Sequence, residues 1–310
     1  MSYSCKDLIS TENLSKDEIF EFLTEAEFFK NLNKQADKKE PILSGRTIVN
    51  TFFENSTRTR TSFEIAAKRL GADAINFIAA NSSTKKGETL IDTIANIGAM
   101  QTDIFVLRHY CSGAAKFVAE NTDVCVVNAG DGQNEHPTQA LLDLFTIYEN
   151  KKSFDGLVVT IIGDILHSRV ARSDIYAMKK MGIKVRLFGP PMMMRGMEVF
   201  GCEICKSMEE AVSDSDVLIM LRIQLERQNG EVAFPSVREY CKYFGLSRQR
   251  LKLAKNGVMI MHPGPINRGI EMNSDVADDK NISFILNQVE SGVAVRAAVL
   301  KILARNKETK

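Results

Sequence analysis

TIVNTFFENSTRTRTSFEIAAKRL, residues 47–70, changes its period halfway along. Thr47 to Phe53 is an apolar run that reads as a buried strand, and from about Thr57 the spacing is helical, with Phe63, Ile65, Ala66, Ala67 and Leu70 facing inward. Arg58 and Arg60 therefore fall in the first helical turn. The free backbone N–H groups there already carry partial positive charge, so each exposed cation loses about 0.3–1 kcal/mol. An ordinary capped start accounts for Ser56 and Thr57 but not for two arginines. A bound anion accounts for both, because N–H groups, hydroxyls and guanidiniums can all donate to it. The segment is not a Walker loop, since G-x-x-x-x-G-K is absent.

Outward from this unit, strand-like and helical segments alternate. After a helix over 16–39, strands are predicted at Thr47–Phe53, Ala74–Ile78, Ile104–Leu107 and Val124–Asn128. Helices are predicted over Thr57–Leu70, Thr89–Met100, Ala114–Glu120 and Pro137–Tyr148. A polar hinge, Glu149 to Ser153, precedes a second series with strands at Leu157–Ile162, Val185–Phe188, Glu203–Cys205, Val217–Leu221 and Val258–Met261, closed by a helix over Ile285–Ala304. Such alternation implies βαβ units. The expected class is α/β, with two domains, each a parallel sheet flanked by helices, and a ligand site in the cleft between them. The boundaries are expected at residues 1–148 and 149–287, with a C-terminal helix of about 288–310 packing back on the first domain. Gln228–Gly230 and Cys241–Arg250 read as a long polar loop.

Chemistry in open parallel sheets collects at the carboxyl ends of strands. There the chain places Ser56 to Thr61, Arg108-His109, His136-Pro137-Thr138-Gln139, Gly163-Asp164 with Arg169, Arg222-Ile223-Gln224 and His262-Pro263-Gly264-Pro265. Lysines and arginines number 40 against 39 acids, yet nearly every strand end carries a cation, an imidazole or an amide. That distribution implies one or two strongly anionic ligands. Asn81 to Thr89 reads as a flexible polar loop ending in a helix cap, whose lysines could alternatively close over an anion. His136 alone would read as a core histidine at a helix start, and Arg222 as part of a surface ion-pair helix, except that it directly follows a buried strand.

The near-neutral charge suggests neither nucleic acid nor an anionic membrane as partner, and no apolar run reaches membrane-spanning length. The first residues lack the form of a signal peptide, so a soluble, cytoplasmic protein is expected. Six scattered cysteines include a C-x-x-C at Cys202 and Cys205, but that stretch reads as a strand with the two side chains on opposite faces. No second pair completes a metal site, and no metal or cofactor is expected.

In combination these segments resemble the aspartate/ornithine carbamoyltransferase family along essentially the whole chain. The resemblance rests on F-x-x-S-T-R-T-R-x-S-F-E at 53–64, K-K-G-E-T at 85–89, R-H at 108–109, H-P-T-Q at 136–139, G-D and R at 163–169, R-x-Q-x-E-R at 222–227 and H-P-G-P at 262–265. It implies transfer of the carbamoyl group of carbamoyl phosphate to an amine, with release of phosphate and no cofactor. Ser56, Thr57, Arg58 and Thr59 would hold the phosphate. Arg108 would reach phosphate and carbonyl oxygen, Thr59 and His136 would donate to that oxygen, and Gln139 would accept from the carbamoyl NH2. Arg169, Arg222 and Gln224 would grip the carboxylates of the second substrate, and the backbone at Gly264 and Pro265 would complete the pocket.

H-P-G-P in place of the H-C-L-P of ornithine enzymes, and Lys86 within K-K-G-E, are similar to the aspartate branch, a step of de novo pyrimidine synthesis. In that branch Lys86 and a serine, Ser82 or Ser83, would act in the site of a neighbouring subunit. Shared sites imply a homotrimer. A regulatory chain or another pyrimidine enzyme is a further candidate partner. Three alternatives stand beside this reading: a carbamoyltransferase for ornithine or a modified ornithine, an anion receptor without turnover, and a dehydrogenase. The last is disfavoured because G-x-G-x-x-G is missing after Ile162.

Overall fold

A computed structural model describes residues 2–78, 87–223 and 236–308. The chain divides into two compact units, Met1–Phe145 with Val289–Lys310, and Thr146–Gln288. The first contains a four-stranded sheet built from β1 (Thr47–Phe52), β2 (Asp73–Ile78), β3 (Ile104–His109) and β4 (Cys125–Asp131), in the order β2-β1-β3-β4. All its pairings are parallel. Strands β1, β3 and β4 are buried on both faces, and on one of them Val49, Phe105, Leu107 and Val126 pack with Ile94, Ala115 and Val118 of flanking helices. Among those helices are α1 (Lys16–Leu32), α2 (Thr57–Arg69), α3 (Leu90–Gly98), α4 (Ala114–Glu120) and α5 (Pro137–Lys151).

The second unit carries β5 (Val158–Ile162), β6 (Lys184–Phe188), β7 (Glu203–Ile204), β8 (Val217–Met220) and β9 (Met259–Met261), in the order β7-β6-β5-β8-β9 and again all parallel. Its core joins Ile162, Leu218, Met220 and Ile260 to Met208, Ala211, Val212 and Val276. The strand order reverses at β5, so the loops after β5 and β8 leave the sheet where its winding changes direction. Gly163, φ 130°, makes the first of these turns, and a Cβ on Gly189 would lie 2.1 Å from its carbonyl oxygen. The remaining helices are α6 (Arg169–Lys180), α7 (Met208–Val212), α8 (Val237–Phe244), α9 (Arg248–Leu251), α10 (Ser274–Ala277) and α11 (Ile285–Glu308).

The α/β class with two parallel sheets is as expected, and three local expectations are corrected. The helix predicted to reach residue 39 ends at Leu32, where its buried face of Ile19, Phe22, Leu23, Ala26 and Phe29 runs out. The polar hinge predicted from Glu149 is helical up to Lys151, since Glu, Asn and Lys extend a solvated last turn, and Lys152 leaves it at φ 64°. The loop predicted at Cys241–Arg250 holds α8 and α9, started by the caps Ser236 and Ser247 and anchored by the wholly buried Tyr240. The Gln228–Gly230 part of that expectation lies outside the described residues. None of the described helices is long and apolar enough to cross a membrane.

Candidate active site

In the first unit, α2 starts directly beyond β1. Its N-cap is Ser56 in extended geometry, yet the serine makes no side-chain capping bond, and no acid occupies the first turn. The uncapped Ser56 and the first N–H groups lie together at the start of the helix, with Thr57 and Arg58 exposed and Thr59 buried. Both halves of the usual helix start are missing: the cap bond and the acids that would suit the dipole.

Arg108 lies next to this turn in the sheet, in register with Phe52. Its Nε is 3.3 Å from Glu54 Oε2, and its Nη1 donates to the Ala129 carbonyl at 3.3 Å. The β3–β4 register slips between Leu107 and His109, so Arg108 stands at an irregularity that re-aims its side chain. His109 beside it is buried, accepts from the Cys111 N–H through Nδ1 at 2.9 Å and stacks on Tyr110. Burial holds its imidazole below the usual range, against the opposite pull of Glu54 and Asp131.

His136 immediately precedes α5 and is buried, with its carbonyl accepting from the Gln139 N–H at 2.9 Å. The turn leading into it is held by acids. Asp131 accepts from Asn128 Nδ2 at 2.8 Å, Gly113 N at 2.7 Å and Glu135 N at 3.1 Å. Gly132 is required there, because φ is 51° and a Cβ would sit 2.5 Å from the Ser112 nitrogen. Glu135 in turn accepts from Thr11 N at 2.8 Å, Thr11 Oγ1 at 2.7 Å and Ser10 Oγ, tying the N-terminal segment to the residue before His136. One turn into α5, Gln139 Nε2 donates to Asp143 Oδ1 at 3.1 Å. That bond orients the amide, leaving its oxygen as the end able to accept from a ligand NH2. The buried Arg296 of α11 acts on Asp143 electrostatically and stacks over Phe63. Burial pushes its guanidinium down to about 10, so it stays charged at neutral pH.

In the second unit, Ser168 caps α6 by accepting from Ala171 N at 3.1 Å, and Arg169 is the first helical residue, 5% exposed. The preceding turn is closed by Asp164, whose Oδ1 accepts from the backbone N and Nδ1 of His167 at 3.3 and 2.8 Å. Arg222 follows β8 and is half-buried. After β9, Gly264 has φ 69° and is joined to Pro265 by a cis peptide bond. Lys86, Ser82 with its alternative Ser83, and Gln224 lie outside the described residues.

The structure thus brings Ser56, Thr57, Arg58, Thr59, Arg108, His136 and Gln139 into one unit and Arg169, Arg222, Gly264 and Pro265 into the other. Sequence reasoning missed Glu54, Asp131, Glu135 and Asp143. Only Gln139 and Asp143 had a local signal, their i,i+4 spacing on a helix. Among the described residues no group of His, Cys, Asp or Glu could hold a metal ion.

Such a set of donors can bind a phosphorylated ligand at a helix start, polarise a carbonyl beside it and hold carboxylates with arginine. The aspartate/ornithine carbamoyltransferase carbamoyl-P binding domain matches residues 6–149, and the Asp/Orn binding domain of the same family matches residues 155–303. The aspartate carbamoyltransferase catalytic subunit of Campylobacter fetus is 71% identical over 307 residues, 99% of each chain. Two solved structures superpose with a TM-score of 0.83 at 30% identity. One is aspartate transcarbamoylase from Trypanosoma cruzi in complex with N-(phosphonacetyl)-L-aspartic acid, covering 95% of this chain and 94% of that one. The other is ornithine carbamoyltransferase from Pyrococcus furiosus, covering 96% of both. With both domains matched in order along the chain, this protein belongs to the aspartate/ornithine carbamoyltransferase family.

Proposed function

We propose that this chain transfers the carbamoyl group of carbamoyl phosphate to the α-amine of L-aspartate, giving N-carbamoyl-L-aspartate and phosphate in pyrimidine synthesis. The observation that carries the reading is the first turn of α2, where an unused cap hydroxyl and Arg58 take the place of capping bond and acid. Ser56, Thr57, Arg58 and Thr59 hold the phosphate dianion there. Thr59, Arg108 and His136 donate to the carbonyl oxygen, and Gln139, oriented by Asp143, accepts from the carbamoyl NH2. The amine nitrogen attacks the carbonyl carbon, and charge grows on the oxygen that these donors face. Losing one such donor typically costs about 2.7–4 kcal/mol. The C–N bond forms, the C–O bond to phosphate breaks, and the departing phosphate takes the amine proton, so no side chain need act as base.

Residues 1–148, with the C-terminal helix, serve carbamoyl phosphate, and residues 149–287 serve aspartate. Arg169, Arg222 and Gln224 bind the two carboxylates, and Gly264 and Pro265 contribute backbone. Lys86 and Ser82 act in the neighbouring subunit of a cytoplasmic homotrimer. The choice of aspartate over ornithine is supported by H-P-G-P at 262–265 and by the 71% identical relative. A colorimetric ureido assay with carbamoyl phosphate and either amine tests it. Product is expected with L-aspartate and at least a hundredfold less with L-ornithine, whereas product from ornithine alone, or from neither, overturns the proposal.

A further inference from the structure

The H-P-G-P turn is held from beneath by a wholly buried pair. The side chains of His262 and Glu271 are both 0% exposed, and His262 Nε2 lies 3.1 Å from Glu271 Oε1. The Gly264 N–H donates to His262 Nδ1 at 2.7 Å. A backbone N–H can only donate, so Nδ1 carries no proton and the ring hydrogen is on Nε2, aimed at the carboxylate. The same oxygen of Glu271 also accepts from the Asn267 N–H at 2.6 Å. Asn267 Nδ2 then reaches the Ile223 carbonyl at 3.5 Å, one residue beyond Arg222. Packing repeats the link: Ile223 and Ile270, neighbours of Arg222 and Glu271, join one apolar cluster with Met193 and Tyr240. Glu271 therefore governs two places at once, the backbone at Gly264 and the segment that carries Arg222.

We infer that Glu271 is a positioning residue for the proposed reaction, presenting Gly264 through His262 and steadying the Arg222 segment through Asn267. The inference rests on the carbamoyl-transfer reading. A carboxylate buried this deeply needs a task that outweighs its desolvation, and two donors on one oxygen meet only part of that need, because Oε2 has no hydrogen-bond partner among the described residues. Since both bonds end on Oε1, a carboxamide can keep them, while a shorter acid cannot reach. Charge and reach can thus be separated.

The experiment compares wild type, Glu271→Gln and Glu271→Asp by steady-state kinetics with both substrates and by thermal unfolding. Glu271→Gln keeps KM for L-aspartate within about threefold of wild type. Glu271→Asp retains the charge but raises that KM at least tenfold, with kcat changed less than KM and the fold intact. In a His262→Ala background the Asp substitution raises KM by a smaller factor than it does in wild type, because the route through the imidazole is already cut and only the bond from Asn267 is left to lose. Equal KM values in all three chains, a Gln variant as impaired as the Asp variant, or independent effects in the double variant overturn the inference alone. A wild type without turnover overturns the functional reading, and this inference with it.

Discussion

Replacing Glu135 by alanine removes the acceptor that joins the N-terminal segment to the residue before His136. Thr11 is wholly buried, and both its N–H and its hydroxyl donate to Glu135 Oε2, at 2.8 and 2.7 Å. A hydrogen bond to a charged group is worth about 1.5–3 kcal/mol, so two buried donors left without their acceptor cost roughly 3–6 kcal/mol. The Ser10 hydroxyl is only half-buried and finds water, so it adds little. At roughly 2–4 °C per kcal/mol the unfolding midpoint falls by roughly 6–24 °C. Glu135→Gln keeps one oxygen for Thr11 and turns its NH2 to Ser10 Oγ, which can accept, so its midpoint stays close to wild type. The assay is thermal unfolding followed by circular dichroism, together with ureido formation measured well below the lower midpoint. There the alanine variant should be roughly 10- to 100-fold slower, since a displacement of about an ångström at His136 costs up to about 10²-fold. An alanine variant with an unchanged midpoint, or a glutamine variant as unstable as alanine, would refute the reasoning.

Asp143→Leu frees the Gln139 amide to rotate and should raise KM for carbamoyl phosphate severalfold more than KM for aspartate, as initial rates at varied concentrations of each would report. Mixing Arg58→Ala with Lys86→Ala chains should restore part of the activity through sites that contain neither lesion, and no recovery after dissociation and reassembly would contradict shared sites. His109 sits below its ordinary range, so the unfolded chain takes up a proton that the folded chain refuses. Its contribution is present above about pH 6.5 and is lost as pH falls below that value. Denaturant unfolding of His109→Gln from pH 7 to 5 should therefore show a shallower loss of stability than wild type.

The alternation that produces two parallel sheets was legible because strands buried on both faces cannot hide their apolar runs. Where helices end was less so: residues 33–39 are polar and helix-compatible, and only the loss of a buried face stops α1 at Leu32. Around residues 149–151 the same polarity misled in the other direction, because a solvated last turn of α5 reads like a hinge. At the site, Arg58 stood out because a cation opposes the helix dipole, a conflict visible in one short stretch. The acids that hold the machinery were not visible in this way. Glu54, just past the end of β1, meets Arg108 of the neighbouring β3, and Glu271 meets His262 only after a turn buries both, so neither pairing follows from spacing.

The central claim is that donors set by the fold stabilise charge on the carbamoyl oxygen, and His136 is the donor that tests it most directly. Single-turnover transfer by His136→Ala, with carbamoyl phosphate affinity measured on the same protein, is the decisive measurement. The account predicts a rate lower by about 10²–10³-fold while the affinity changes less than tenfold, as loss of one oxyanion donor requires. An unchanged rate, or a loss confined to binding, would contradict it.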